Sequence, residues 1–252
     1  DIQLHLLPQA CPQITGVEIA ADCQTADRVG GDYYDFIPAN YDRYSTSDDA
    51  AVESASSQPW SIVIGDVMGK GVPAGLIMTM TRGMLRAEVL NRHAPAQILA
   101  HLNRVMYDDL ENSHRFVTLF YSSYDPPSRT LAYSNAAHNP PLLWQAAGQK
   151  IERLDTNGML IGLDVDSHYE NARVQLAAGD TVLYYTDGFT EALAPNGERF
   201  EEGRLQATFS EICRQGARPQ AILEYVFEQV RDFIGPQNPN GDDMTLVVMQ
   251  VR

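Results

Sequence analysis

At four places far apart in this chain, Gly31-Asp32, Gly65-Asp66, Asp187-Gly188 and Gly241-Asp242-Asp243, an aspartate stands beside a glycine at the edge of an apolar run. Two of these runs, Trp60–Ile64 and Thr181–Tyr185, have the length and apolar content of strands. Each Asp is therefore expected at the rim of a rigid sheet, beside a Gly that lets backbone or ligand approach closely. A fold that satisfies all four must bring strands far apart in sequence to a common edge. Asp-Gly and Gly-Asp are ordinary turn pairs, and any one of them alone is more simply a turn. Four attached to strands point to carboxylates gathered around a hard divalent cation, which takes oxygen ligands and relieves their repulsion.

The rest of the chain supplies strands in clusters separated by pairs of helices. Val17–Cys23 reads as a strand, and Tyr33–Ile37 reads as the hairpin partner of Trp60–Ile64. The Asn-, Ser-, Thr- and Asp-rich stretch between them, residues 39–59, is expected to be a flexible surface loop. Apolar residues recur at helical spacing over Val72–Asn91 (Leu76, Ile77, Met80, Met84), with Arg82 and Arg86 together on another face, and again over Pro95–Glu111. Strands are predicted at Phe116–Tyr124, Thr130–Ser134, Leu142–Trp144 and Asp180–Tyr185, and helices at Glu202–Arg214 and Pro219–Ile234. Met244–Val251 is almost continuously apolar, so burial on both faces is expected. This order suggests layered sheets with helices outside, in one domain covering residues 1–252. A chain that opens at Asp1 without Met reads as the C-terminal part of a longer, regulated protein.

Composition excludes several functions. With 252 residues, 44% of them hydrophobic and 20% charged, the chain can bury a large core. Its net charge of −15 repels nucleic acid and anionic lipid, so neither a nucleic-acid partner nor a membrane contact is expected. No apolar run approaches the ~20 residues of a membrane span. Cys11, Cys23 and Cys213 are odd in number and scattered, which favours a reducing, cytoplasmic compartment. Gly65 to Gly71 resembles a phosphate-binding loop but has one residue too few before Gly69-Lys70, and Gly71 stands where Ser or Thr is required. No Gly-x-Ser-x-Gly elbow and no His-Glu-x-x-His occur. His138 is read as organising a turn, Tyr33, Tyr34 and Phe36 as core, and the Met-rich start of the helix from Val72 as an ordinary buried face, or else a face that adapts its packing and couples a partner to Asp66.

Taken in order, six motifs resemble the SpoIIE-like (RsbU-like) serine phosphatases over nearly the whole chain. They are Gln3…Leu6-Leu7-Pro8; Val29-Gly30-Gly31-Asp32-Tyr33-Tyr34-Asp35-Phe36; Gly65-Asp66-Val67-Met68-Gly69-Lys70-Gly71; Asn135-Ala136-Ala137-His138-Asn139-Pro140-Pro141-Leu142; Tyr185-Thr186-Asp187-Gly188-Phe189-Thr190-Glu191; and Asp242-Asp243-Met244-Thr245. The resemblance implies an α+β fold, the α-β-β-α sandwich of protein phosphatase 2C, with two antiparallel sheets flanked by helices. It further implies that Asp66 bridges two Mn²⁺ or Mg²⁺ ions and that the Val67 carbonyl completes one shell. Asp187 and Asp242 would bind the other ion, and Asp32 would hold water at the ions directly or through an intermediary. Asp242 is preferred to Asp243 from the motif, and Asp35 is read as structural. The eukaryotic branch carries a His shortly after its bridging Asp and an Arg before its Gly-Asp. Here Met68 and Gly69 occupy the first stretch and only Arg28 lies near the second, which leaves water as the candidate leaving-group acid. The implied substrate is a phosphoserine or phosphothreonine on an anti-sigma-factor antagonist type of regulatory protein. An upstream sensor or activator domain and a homodimer are the implied partners. The competing reading is a pseudophosphatase that only binds a partner; a metal-dependent nucleotide hydrolase has no glycine-rich phosphate cradle to support it.

Overall fold

Strands with one face against helices and the other against a second sheet are buried on both sides, and the central strands of this protein have that character. The computed structural model describes residues 6–26, 29–39, 58–236 and 241–252. The predicted surface loop, apart from its ends, lies outside these residues, as do Gln3 and Arg28. The strands are β1 (Val17–Gln24), β2 (Tyr33–Pro38), β3 (Trp60–Val67), β4 (Val117–Asp125), β5 (Thr130–Ala136), β6 (Leu142–Gln145), β7 (Lys150–Arg153), β8 (Ala172–Gln175), β9 (Thr181–Tyr185) and β10 (Met244–Val251). The helices are α1 (Val72–Val89), α2 (Pro95–Ser113), the short α3 (Asp187–Thr190), α4 (Glu201–Arg214) and α5 (Pro219–Ile234).

Two antiparallel five-stranded sheets result, in the orders β1-β10-β9-β6-β7 and β2-β3-β4-β5-β8. Helices α1 and α2 pack on the second sheet, and α4 and α5 on the first. This is the predicted layering of two sheets between helices. The period-two alternation of strands sorts the core into its layers. On β10, Val247 and Met249 join the cluster that includes Ile62, Ile64 and Phe120, whereas Leu246 and Val248 join the cluster of α4 and α5. Between the sheets, Phe120 meets Tyr184 edge to face at 5.9 Å, and Ser122 Oγ lies 3.2 Å from the Tyr184 hydroxyl. Ser122 also donates to the Ile62 carbonyl, which satisfies a hydroxyl deep in the core. Among the described residues no helix is long and apolar enough to cross a membrane.

The predicted hairpin partners do pair, Tyr33 opposite Gly65 through Pro38 opposite Trp60. Helix α1 ends two residues before its predicted limit, because Arg92 (φ 56°) already turns the chain toward Pro95, the first-turn proline of α2. Strands β7 and β8 escape the sequence pattern. Each has four residues, lies at a sheet edge, and exposes charged side chains, so its pairing is decided by the neighbouring strand rather than by its own apolar content.

A buried ion-pair cluster fastens α1 to the sheet. Asp35 on β2 is fully buried and accepts two bonds from Arg86, Nε to Oδ2 and Nη2 to Oδ1, each 2.6 Å. Arg82 Nε lies 3.6 Å from the same carboxylate, and the Tyr33 hydroxyl donates to it at 3.0 Å. The two arginines that share a face of α1 thus share one carboxylate, and Asp35 is structural.

Candidate active site

The same alternation that builds the core delivers the acidic residues. On β3, Ile62, Ile64 and Asp66 share the face that looks into the sandwich, so Asp66 emerges where the core layer ends. Asp32 leads into β2 on the face of Tyr34 and Phe36. Asp187 follows β9 as the first residue of α3, and Asp242 precedes β10. Only Asp66 and Asp187 therefore sit where strands end; Asp32 and Asp242 sit where strands begin. Because neighbouring strands are antiparallel, the ends of some and the starts of others share one rim, and the four residues are brought to the same side.

Their mutual electrostatics record the gathering. Burial raises the Asp66 carboxyl to about 8, reinforced by the charges of Asp187, Asp242 and Asp243. Burial likewise pushes Asp187 up, with Asp242 and Glu191 adding to the effect. Asp32 is 3% exposed and raised well above the usual carboxylate range, by burial first and by Asp66 next. Two hydroxyls oppose that shift: Thr245 donates to Asp32 Oδ2 at 2.6 Å and Thr186 at 2.8 Å. Lys70 pairs with the outer side of Asp242 at 3.2 Å, both side chains being roughly half exposed.

The neighbouring acid, Asp243, has a different task. Its Oδ1 accepts the Ala26 amide and its Oδ2 the Gly31 amide, each at 2.8 Å. It ties the segment before β2 to the segment before β10, and its own carboxylate is turned away from solvent at 7% exposure. Asp242 is more exposed than Asp243, and its charge adds to the shifts of both Asp66 and Asp187.

Glycines make the close approach possible. A Cβ on Gly31 would lie 2.6 Å from the Val67 carbonyl and 2.8 Å from Asp66 Oδ1. A Cβ on Gly30 would lie 2.1 Å from Asp243 Oδ2, and one on Gly188 would lie 1.9 Å from the Asp243 carbonyl. Gly188→Ala is therefore expected to displace the segment carrying Asp242 and cost about 1–3 kcal/mol by overpacking. Chemical denaturation of the variant checks this, and wild-type stability would contradict it.

Thr186 and Thr245 lie within the motifs, but their role appears only in the fold. Thr186 directly precedes Asp187 and Thr245 follows Asp243 by two residues, but their shared partner, Asp32, is far from both in sequence. Arg115 was missed altogether; its guanidinium donates to the Met68 carbonyl at 2.5 Å and lies where a Cβ on Gly69 would fall, so it braces the loop after Asp66. His138 is held in a turn by Asn135, whose Oδ1 accepts the His138 amide and whose Nδ2 donates to the His138 carbonyl, both at 2.9 Å. Burial lowers its pKa to about 4, so it is neutral at pH 7. It acts as the predicted turn organiser, with Nδ1 against Thr118 Oγ1 at 2.9 Å.

The donor set suits hard divalent cations. It offers carboxylates and a backbone carbonyl, and burial, reinforced by the neighbouring charges, favours protons on Asp32, Asp66 and Asp187 that a cation would displace. Among the described residues these acids do not bring three ligand oxygens within 4.8 Å of one another. A pair of ions roughly 3.5–4 Å apart spreads its ligands more widely than one ion does. A groove of about 510 Å³ opens beside Asp242, lined in part by Gly188, Glu191, Pro195 and Arg199.

Comparison with known proteins identifies the family. The family described as Stage II sporulation protein E (SpoIIE) matches residues 56–252. The phosphoserine phosphatase RsbU of Bacillus subtilis is 28% identical over 253 residues, covering 99% of this chain and 68% of its own length. The crystal structure of the RsbU and RsbW domains of Rv1364c from Mycobacterium tuberculosis superposes with a TM-score of 0.74 at 25% identity, over 96% of this chain and 61% of that one. The PP2C phosphatase domain of SpoIIE from Bacillus subtilis, solved with a fragment of its regulatory domain, gives a TM-score of 0.72 at 19% identity, over 93% of this chain and 63% of that one.

Proposed function

The chain belongs to the SpoIIE family, as a serine phosphatase domain with the protein phosphatase 2C fold, and we propose that it hydrolyses phosphoserine or phosphothreonine on a protein with the help of two Mn²⁺ or Mg²⁺ ions. The observation that carries this reading is the convergence of four carboxylates, from four separate segments, on one rim, where Asp187 and Asp242 act on buried Asp66, Asp242 on Asp187, and Asp66 on Asp32. Asp66 would be shared between the ions, with the Val67 carbonyl, Asp187 and Asp242 completing their ligands and Asp32 orienting water. When bound, the ions supply positive charge for the phosphoryl oxygens and lower the pKa of a water so that it can attack phosphorus in line.

The residues of the chain do the rest. Asp32 is held in one orientation by Thr186 and Thr245, so its free oxygen is positioned without reorganisation. Asp243 and the glycines lock the segments that carry Asp32, Asp187 and Asp242. A protein of net charge −15 with a carboxylate-lined cleft repels a phosphate dianion, so substrate binding itself requires the cations. No serine or cysteine nucleophile is needed. The residue after Asp66-Val67 is Met68, which offers no proton, so water is the proposed acid for the departing serine hydroxyl.

We assign the substrate to the anti-sigma-factor antagonist type of regulatory protein, and we place the domain under an upstream sensor or activator, with a homodimer as one means of control, in the cytoplasm. The RsbU relationship supports this assignment, and the free state of Cys11, Cys23 and Cys213 suits a reducing compartment. The test is phosphate release from a phosphoserine protein and from ATP, with Mn²⁺, with Mg²⁺ and with chelator. Release from the phosphoprotein only when a cation is present is expected. Tight binding of the phosphoprotein without release in any cation would replace this reading with a pseudophosphatase.

A further inference from the structure

A second group of metal-ligating side chains lies where α1 hands over to α2, among residues the phosphatase site does not use. Glu88 stands in the last turn of α1, His93 in the connection, and His101 two turns into α2. His93 Nδ1 and His101 Nδ1 each lie 2.7 Å from the same oxygen, Glu88 Oε1. Among the described residues this is the one group of three or more His, Cys, Asp or Glu residues whose ligand atoms all fall within 4.8 Å of one another. The two imidazoles stand at 89° with centroids 4.8 Å apart, so their nitrogens converge from different directions rather than stacking. Asn91 Nδ2 donates to the other carboxylate oxygen at 2.8 Å, which fixes the Glu88 orientation as a supporting bond does for a ligating carboxylate. Glu88 is 16% exposed, while His93 and His101 are 35% and 45% exposed, so an ion can enter from solvent and keep water as a further ligand.

We propose that Glu88, His93 and His101 form a second metal site, selective for a borderline transition ion of the Zn²⁺ class. Two imidazoles and one carboxylate suit Zn²⁺, Co²⁺, Ni²⁺ or Cu²⁺, whereas Mg²⁺ and Mn²⁺ prefer all-oxygen sites. The site is therefore chemically distinct from the carboxylate rim. Ligand atoms around a tetrahedral ion with bonds of about 2.0–2.1 Å stand roughly 3.3 Å apart. The present 2.7 Å contacts need to open by only about half an ångström, within the reach of χ rotations in two partly exposed histidines. The ion takes the place of the hydrogens in the two contacts to Glu88 Oε1. Its effect is to clip α1 to α2 across their connection.

The test uses untagged protein stripped of transition metals and held in millimolar Mg²⁺, which satisfies oxygen-rich sites. Titration with Co²⁺ is expected to produce a visible d–d absorption that saturates at one equivalent and is displaced by Zn²⁺. Zn²⁺ is expected to raise Tm by about 5 °C at a hundredfold excess over Kd. His101→Gln and His93→Gln keep an N–H for Glu88 but lose the ligand nitrogen, and both should abolish the absorption and the Tm shift while melting normally without metal. Asp66→Asn should leave the absorption unchanged, which separates this site from the phosphatase site. Absence of absorption in the wild type, or an equal response in the Gln variants, overturns the proposal.

Discussion

Asp66→Asn is expected to lower phosphatase turnover by roughly 10³-fold or more while leaving the protein folded, because it removes the charge proposed to be shared by both ions at the place where phosphoryl charge develops. A second readout does not depend on activity. In metal-free protein Asp66 titrates at about 8 when folded, against ~3.9 in an unfolded chain. Between these values the folded protein holds a proton that the unfolded chain has released. Stability contributed by this group is therefore complete below about pH 4 and is lost as pH rises toward about 8. Asp32 and Asp187 are shifted in the same direction and add to the slope. Thermal denaturation from pH 5 to 8 in chelator should show Tm falling with pH in the wild type and falling less steeply in Asp66→Asn. Added Mn²⁺ should reverse the fall in the wild type. Near-normal turnover in the variant would remove Asp66 from the mechanism, and parallel pH slopes would remove it from the carboxylate cluster.

Asp35→Ala is expected to cost about 3 kcal/mol of stability, a large effect for a polar residue away from the rim. Asp35 receives Arg86 through two bonds, the charge of Arg82 and the Tyr33 hydroxyl, and it is fully buried. Removing it leaves two like charges on α1 facing each other with no anion between them. The arginine side chains are 23% and 30% exposed, so water recovers part of the loss, and the figure sits at the lower end for a broken buried pair. Asp35→Asn keeps a hydrogen-bond acceptor and should cost less. Urea denaturation distinguishes these outcomes, and an Asp35→Ala protein as stable as the wild type would show that the cluster contributes only to specificity of packing.

The long, strongly periodic elements were legible without coordinates. Pro219–Ile234 and Met244–Val251 carry enough apolar residues at helical and continuous spacing that local pattern and tertiary burial agree. Strands β7 and β8 were not legible, because four exposed residues at a sheet edge derive their conformation from a partner strand. The Glu88, His93 and His101 cluster was also invisible, since its spacing matches no linear ligand motif and depends on the angle at which α2 returns past the end of α1.

By itself the amino-acid order determined that aspartates would stand beside glycines at the margins of apolar strands, because a two-residue side-chain period and the turn chemistry of Asp-Gly are local properties. It also specified, through six ordered motifs, which family's fold to expect. The motif favoured Asp242 over Asp243, and only the tertiary structure supplies the physical difference between them: Asp243 accepts the amides of Ala26 and Gly31, while Asp242 stands more exposed on the rim. The tertiary structure alone placed Thr186 and Thr245, 59 residues apart, on a single oxygen of Asp32. Thr186 directly follows β9 and Thr245 lies on β10, which pairs with it, and pairing across such separations is settled by the packing of the whole core rather than by any segment of the chain.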